Sequence, residues 1–445
     1  MWDGMHSDSN TSDHPRDPAI PLTRRPMYTG WKVVAASAAL WALQSMLWMQ
    51  GFGNLAVQLR AQFGWSKTLF SVAFVGTRTG SALIGPAQGA ALGRWGTKNI
   101  MRAGAVFVLI GFIGLSMIET RIQFLVALSI AAFGMALSGF LTITSAVVQW
   151  FERKRARALS LQSMGLAIGG FAGPLLVVGF GWFGWRPTMV GAGVLLSVAI
   201  TLASTIIGSD RSASNEPVDG IPTELADTSP RAEGVNDLHY TAPDAMRTRA
   251  FWMISMGHGS ALIVVTASIA HIALYLTEDR GFTAKQAAFI AGAIPVFQVL
   301  GTGLGGYLGD RMNKRIIIGI AMCAHAVGLL LMTWVDSFIT IGAFVVLHGL
   351  AWGSRGPLMQ AIRADYFGTT HFAQIMGWST VVITLGVVIG PLLAGVLADS
   401  TGNYKLGFTI IAMLALAGNI FWALASPPPP RAAEDLEVMH PSLQP

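Results

Sequence analysis

Long apolar runs alternate with short polar ones along most of the chain. Crossing a bilayer's hydrocarbon core takes roughly 20 mostly apolar residues. Twelve runs approach or exceed that length: residues 31–52, 68–92, 101–118, 123–149, 158–182, 187–208, 250–276, 286–308, 316–335, 338–362, 372–398 and 405–425. The longer ones predict tilt or extension past the bilayer. In lipid every backbone polar group must be satisfied internally, which leaves helices or closed barrels. None of the runs alternates with period two, so the pattern predicts an all-α membrane protein with 12 transmembrane helices.

The polar segments divide the chain further. Residues 1–26 carry Asp3, Asp8, Asp13, Arg16, Asp17, Arg24 and Arg25 with no apolar core. A secretory signal needs such a core, so this segment reads as a disordered cytoplasmic tail. Residues 427–445 open with four prolines and read the same way. The longest interior polar stretch, 209–248, is rich in Asp, Glu, Ser and Pro and reads as a disordered cytoplasmic linker. It separates two six-helix bundles, 27–208 and 249–426.

Composition agrees with a protein immersed in lipid. Apolar residues make up 53% and charged residues 12%, about half the usual charged share. The net charge of +6 is not a nucleic-acid footprint, because the basic residues sit in short clusters between apolar runs. Of 29 Lys and Arg, the tails, even-numbered loops and linker hold 20 and the odd-numbered loops seven. That bias places both termini in the cytoplasm, in a protein of the cell (inner) membrane. The one cysteine, Cys323, excludes a disulfide or a cysteine-based metal site within the chain.

The halves repeat. An offset of 217 carries Gly89 onto Gly306, Arg94 onto Arg311, Lys98 onto Arg315 and Gly173-Pro174 onto Gly390-Pro391. Parallel six-helix repeats about an axis along the membrane normal characterise one large transporter class. The second copy, from Gly306 through Asp310, Arg311 and Lys314 to Arg315, resembles the loop signature of the major facilitator superfamily. The first copy has Gly93 where that family has aspartate. Segments at Tyr28–Trp31, Phe63–Ser66, Gln149–Arg155, Arg247–Trp252 and Asp365–Gly368 are similar to a bacterial branch of monocarboxylate porters and oxalate–formate exchangers. The resemblance implies two pseudo-symmetric bundles that rock about a central site. It implies gating roles for Gly89, Arg94, Lys98, Gly306, Asp310, Arg311 and Arg315, with the first latch weakened at Gly93. The branch's arginine in the eighth helix and lysine in the eleventh are missing here.

Two arginines, Arg78 and Arg355, fall well inside expected spans, away from their ends, and no acidic residue falls in any span. A mid-membrane charge costs about 2.5–3.5 kcal/mol on insertion scales, which points to function. Arg78 lies on the stripe of Gly85 and Gly89, so it is expected to face the other bundle and hold a carboxylate by paired hydrogen bonds. Arg355 shares a face with His348 and Trp352; the three are expected to line the cavity near its inner half, with a gate or a cytoplasmic anchor as the other reading of Arg355. Gln298, Gln44 and Trp48 are candidates to complete the substrate site. His271, with Tyr275 one turn on, and His348 are candidate proton carriers. His325 is expected to be structural.

These features predict a secondary active transporter for a small organic anion, a monocarboxylate, working by symport, exchange or uniport. The partners are the anion, with or without a proton, and the lipid bilayer. The chain is expected to be monomeric, without cofactor or metal. No phosphate-binding loop or hydrolase motif appears, which argues against ATP use and enzymatic activity. A drug/proton antiporter shares the architecture but usually needs a membrane acid. A non-transporting sensor would bind ligand without moving it.

Overall fold

The computed structural model describes residues 27–209, 211–214, 216–221 and 240–429. The expected tail at 1–26, most of the tail at 427–445 and the middle of the linker therefore lie outside the described residues. Within them every regular element is helical.

The first span is α1 (Thr29–Gln44), a π turn (Ser45–Met49) and α2 (Gln50–Phe63). Next comes α3 (Lys67–Ser116). Its 50 residues would be roughly 75 Å long, more than twice the hydrocarbon thickness. Gly96 resolves the excess: at φ 73° and ψ 159° it breaks α3 into the second and third spans. That backbone geometry is open to glycine and strained for other residues. The fourth span is α4 (Arg121–Leu137) with α5 (Phe140–Trp150). The fifth is α6 (Arg155–Phe171) with α7 (Pro174–Phe183), and the sixth is α8 (Trp185–Ile207).

After two short helices, α9 (Arg211–Ser214) and α10 (Ala242–Arg247), the second half begins. Its spans are α11 (Arg249–Leu274) with a π turn (Tyr275–Asp279), α12 (Ala284–Gly309), α13 (Lys314–Trp334), α14 (Phe338–Phe367), α15 (Phe372–Thr401) and α16 (Lys405–Leu424). Among the described residues, ten stretches have span length and hydropathy, and the bent α6–α7 pair is an eleventh. Division of α3 at Gly96 completes twelve. Local signals set the ends: Thr120 with Gln123 and Thr283 with Gln286 form capping boxes. Gly64 and Gly402 close α2 and α15 in the left-handed conformation.

Several helices outrun the expected spans. α14 continues to Phe367 and takes in Arg363 and Asp365, which the sequence pattern leaves in a loop. Asp399 sits in the last turn of α15, and Glu278 and Asp279 in the π turn after α11.

Each half buries its own apolar core. One core gathers Leu40, Met101, Phe112, Phe124, Leu196 and their neighbours; the other gathers Ile254, Val264, Met322, Phe344, Phe408 and theirs. Smaller clusters join the halves, with Leu92, Leu137 and Val148 against Ala364, Phe372 and Met376. These joining residues lie toward the end that carries the basic loops. There a Cβ on Gly89 would stand 2.5 Å from the Ala373 carbonyl oxygen, and one on Gly306 2.8 Å from Ser160 Oγ. At the opposite end, α2 and α7 pack mainly within the first bundle. The bundles are therefore closed at the basic end and separate toward the other.

The linker, expected as disordered, is ordered where described. Glu216 caps α1 by accepting from Thr29 N at 3.1 Å and Thr29 Oγ1 at 2.6 Å. At its far end, Tyr240 N donates to Phe367 O.

Candidate functional site

Arg78 lies 11 residues, roughly 16 Å, from the start of α3 and about 27 Å from the Gly96 break. It is therefore deep within its span, and it is exposed. Gly85 follows seven residues later, close to two full turns, so the two share a face. That face meets the second bundle, because a Cβ on Gly85 would stand 2.8 Å from the Gly377 carbonyl oxygen. The contacts Gly85–Gly377 and Gly89–Ala373 make α3 and α15 antiparallel. In that register Arg78 falls opposite Thr384, a half-buried residue whose hydroxyl donates to Thr380 O at 2.9 Å. Arg78 thus shares the face that meets the second bundle, two turns beyond the Gly85 contact on the side away from the basic end.

Arg355 is placed differently. It is buried inside the second bundle, where Nε donates to His325 Nε2 at 3.0 Å and a terminal nitrogen to Ala261 O at 3.0 Å. His325 Nδ1 lies 3.1 Å from His348 Nδ1. Arginine has no acceptor, so His325 Nε2 must accept. A neutral His325 then carries its proton on Nδ1 and donates to His348 Nδ1, and a neutral His348 carries its own on Nε2. This directed chain ties α13 to α14, while Arg355 ties both to α11. The expectation that Arg355 and His348 line the cavity does not describe this conformation. His325, expected to be structural, holds them both.

A second buried guanidinium, Arg363, has no counterpart in the sequence reading, because the expected span stops one residue short of it. Its Nε donates to Ser379 Oγ at 3.0 Å, and its terminal nitrogens to Met359 O and Ile254 O. His258 on α11 is 8% exposed, and its Nδ1 has no hydrogen-bond partner.

The other candidates divide by exposure. Gln44 is buried and donates to Ser138 O at 3.1 Å within the first bundle. Tyr275 is buried, donates to Met332 O at 2.6 Å and accepts from Arg280. His271 is held between Tyr404 Oη at 3.1 Å and Pro391 O at 3.0 Å. These three bond within their own bundle, so their geometry is that of helix fasteners. Trp48, beside Phe112, is half-buried, as are Trp352, beside His348, and Gln298.

The closed seam at the basic end is ionic on one side. Asp310 Oδ1 accepts from Ala156 N at 2.9 Å and Arg157 N at 3.3 Å, so it caps α6 from the other bundle. Arg157 Nε stands 3.6 Å from its second oxygen. Burial pushes the Asp310 carboxyl above its ordinary pKa, and the Arg157 N–H and guanidinium act against that rise. Asp365 pairs with Arg155 of the first bundle and, at 2.8 Å, with Lys314. On the repeat-related side the seam is glycine on backbone, and Gly93 supplies no carboxylate.

A family model described as Major Facilitator Superfamily matches residues 27–294 and again 253–445. The chain belongs to the major facilitator superfamily. Among its superfamily relatives, human monocarboxylate transporter 11 is 26% identical over 412 residues, 88% of this chain and 82% of the relative. Human monocarboxylate transporter 2 is 24% identical over 360 residues, covering 76% and 73%. The 4-hydroxybenzoate transporter PcaK of Pseudomonas putida is 25% identical over 411 residues, covering 84% and 88%. Two solved structures share the fold across 90% of this chain and all of theirs. They are the human organic anion transporter MFSD10, at TM-score 0.68 and 14% identity, and the transporter FucP in the outward conformation, at 0.69 and 16%.

The superfamily loop motif takes different forms in the two repeats. In the second, Asp310 crosses to the first bundle, while Arg311 turns back to Tyr307 O at 3.1 Å and Arg315 to Ala425 O at 3.0 Å. In the first, Gly89 makes the cross-bundle contact. Arg94 lies over Trp95, and Lys98 packs beside Gly208 in its own bundle. Arg155 and Asp365, absent from the expected gate, carry a charge contact between the halves. The segments Gln149–Arg155 and Asp365–Gly368, marked by the family resemblance, are the signal for them.

Proposed function

We propose that this superfamily member is a secondary active transporter for a small organic anion, a monocarboxylate. The supporting observation is the placement of Arg78: deep in its span, exposed, and turned toward the other bundle beyond the closed seam. A guanidinium there offers a carboxylate two parallel hydrogen bonds. Substrate enters from the open end and binds Arg78, with Gln298, Trp48 and Trp352 as further wall residues. Once the arginine charge is neutralised, the bundles close over the anion and part at the basic end. That end is the cytoplasmic one, as the positive-inside bias indicates. The relatives named for monocarboxylates and 4-hydroxybenzoate, both carboxylate substrates, favour this class. Arg355, His325 and His348 keep the second bundle rigid while it moves.

The test is uptake of labelled monocarboxylates into proteoliposomes, with and without a pH gradient. Arg78→Ala removes charged hydrogen bonds of about 1.5–3 kcal/mol, so half-saturation is expected to rise about 10- to 150-fold. Arg78→Lys keeps the charge but not the planar fork and is expected to fall between. Uptake that survives Arg78→Ala with unchanged half-saturation would remove Arg78 from the site. The pH gradient separates symport from exchange and uniport.

A further inference from the structure

The linker contributes a buried carboxylate to the closed end of the transporter. Val218–Ile221 form a tight turn, with Ile221 N donating to Val218 O at 3.2 Å. Both central residues have positive φ, Asp219 at 59° and Gly220 at 67°. Asp219 is the one non-glycine among the described residues with positive φ. Aspartate followed by glycine is a pair that tolerates such a turn. The turn is pressed against the body: a Cβ on Gly220 would stand 3.0 Å from the Tyr28 ring. Tyr28 Oη donates to Trp150 O at 2.8 Å, and its pKa is pushed up to about 12, first by burial and then by the Asp219 charge.

The Asp219 side chain is 5% exposed. It accepts from three successive backbone amides, Glu152 N at 3.3 Å, Arg153 N at 2.8 Å and Lys154 N at 3.2 Å. Successive amides converging on one anion form a nest, here filled by the chain's own carboxylate. The turn they belong to joins α5 to α6 and delivers Arg155. Arg155 Nε donates to Phe151 O at 2.8 Å, at the start of the same turn, and its guanidinium crosses to Asp365. Linker, turn, Arg155 and opposite bundle are thus linked in series.

We propose that Asp219 is a positioning residue of the basic-end gate, fixing the 151–154 turn so that Arg155 meets Asp365. Its hydrogen bonds go to the 151–154 turn of the first bundle, and it acts through Arg155. The proposal rests on the alternating-access reading above. When the linker turn is docked, the closed state is favoured; when its carboxylate is lost, Arg155 samples other positions and the bundles part more readily.

The test uses the full chain in lipid nanodiscs, with Cys323→Ser and spin labels at Asn99→Cys and Met312→Cys, one at the basic end of each bundle. Distance distributions report the ratio of closed to open. Asp219→Asn keeps the turn but cannot accept from all three amides. It is expected to lower that ratio about tenfold, the scale of one charge-assisted hydrogen bond. Arg155→Gln is expected to do the same, and the double variant no more than either alone, because the two act in series. Asp219→Gly removes the carboxylate while relieving the left-handed backbone, so an equal shift there excludes strain as the cause and serves where Asp219→Asn folds poorly. An unchanged distribution in both Asp219 variants, or additive effects with Arg155→Gln, would overturn the proposal. A lowered melting temperature without a distance shift would also overturn it. Carboxylate uptake is followed in parallel: absent uptake with the distance shift intact sinks the substrate reading and leaves the gate reading standing.

Discussion

Gly89→Ala tests the closed seam directly. A methyl there would stand 2.5 Å from the Ala373 carbonyl oxygen and 2.7 Å from Gln374 Cα. Ordinary contact begins near 3.4 Å, so the helices must separate by about 0.9 Å along that line. Both opposing atoms are backbone, and no rotamer change relieves them. Overpacking of this kind typically costs about 1–3 kcal/mol. The cost falls only on the state in which α3 and α15 touch. At 1.4 kcal/mol per factor of ten, the closed-basic-end population should fall about 5- to 150-fold relative to the open one. Gly80→Ala is the control on the same helix: nothing lies within 4 Å of its added methyl, so only a small gain in helix propensity is expected. The assay pairs the spin-label distances with initial uptake rates. Gly89→Ala should shift the distances outward and slow turnover, and Gly80→Ala should do neither. Equal behaviour of the two variants would refute the claim that this seam opens and closes during transport.

Three further outcomes follow from the same geometry. His325→Ala strands the buried Arg355 Nε donor and the His348 acceptor, so thermal stability should drop by the equivalent of about 1–3 kcal/mol or more, while His325→Gln, which keeps an acceptor, should drop less; equal stability of all three proteins by thermal denaturation would contradict the network. Burial raises the Asp310 pKa in the closed state, and a hydrated carboxylate in the opened seam returns toward its ordinary value. The closed state therefore binds the proton more tightly, so acidification should favour it and the bias should fade as pH rises through the raised pKa; Asp310→Asn should remove that dependence from the distance distributions. Gly96→Ala places a side chain at φ 73°, which should cost about 1–3 kcal/mol and lower the melting temperature, in contrast to an alanine at Gly76, where nothing lies within 4 Å.

The architecture was legible because bilayer thickness forces long apolar runs and duplication leaves an offset that can be counted. Gly89, Gly306 and Asp310 were marked by the resemblance to the superfamily's loop signature, and close helix approach and a cross-bundle cap are the physical reasons for those residue types. The interior of the second bundle was not. Arg355 looked like a cavity residue because its own helix offers no acidic partner, and its imidazole acceptor, His325, comes from α13, a neighbour that helical periodicity does not reveal. Arg363 was lost to a boundary, since α14 continues in protein contacts beyond where hydropathy falls off. Asp219 sat in a polar stretch whose composition suggested disorder. The Asp219-Gly220 pair was the local sign of a turn, but nothing in its neighbourhood announced that three amides some 65 residues earlier needed an acceptor.

The closed end is built from two seams of unlike chemistry. Gly85 and Gly89 meet Gly377 and Ala373 as neutral backbone surfaces, held by dispersion across a fit that tolerates no added atom. Asp310, Arg157, Arg155, Asp365 and Lys314 close the other with charges, some of them partly hydrated. Ionic strength acts on the second and leaves the first almost untouched, because a contact without charge has nothing to screen. The first behaves as a fitted joint whose tightness is set by shape, and the second as a clasp whose hold depends on the surrounding electrolyte. A change in the salt bathing this end would therefore retune how long the protein stays shut without altering how well its halves fit.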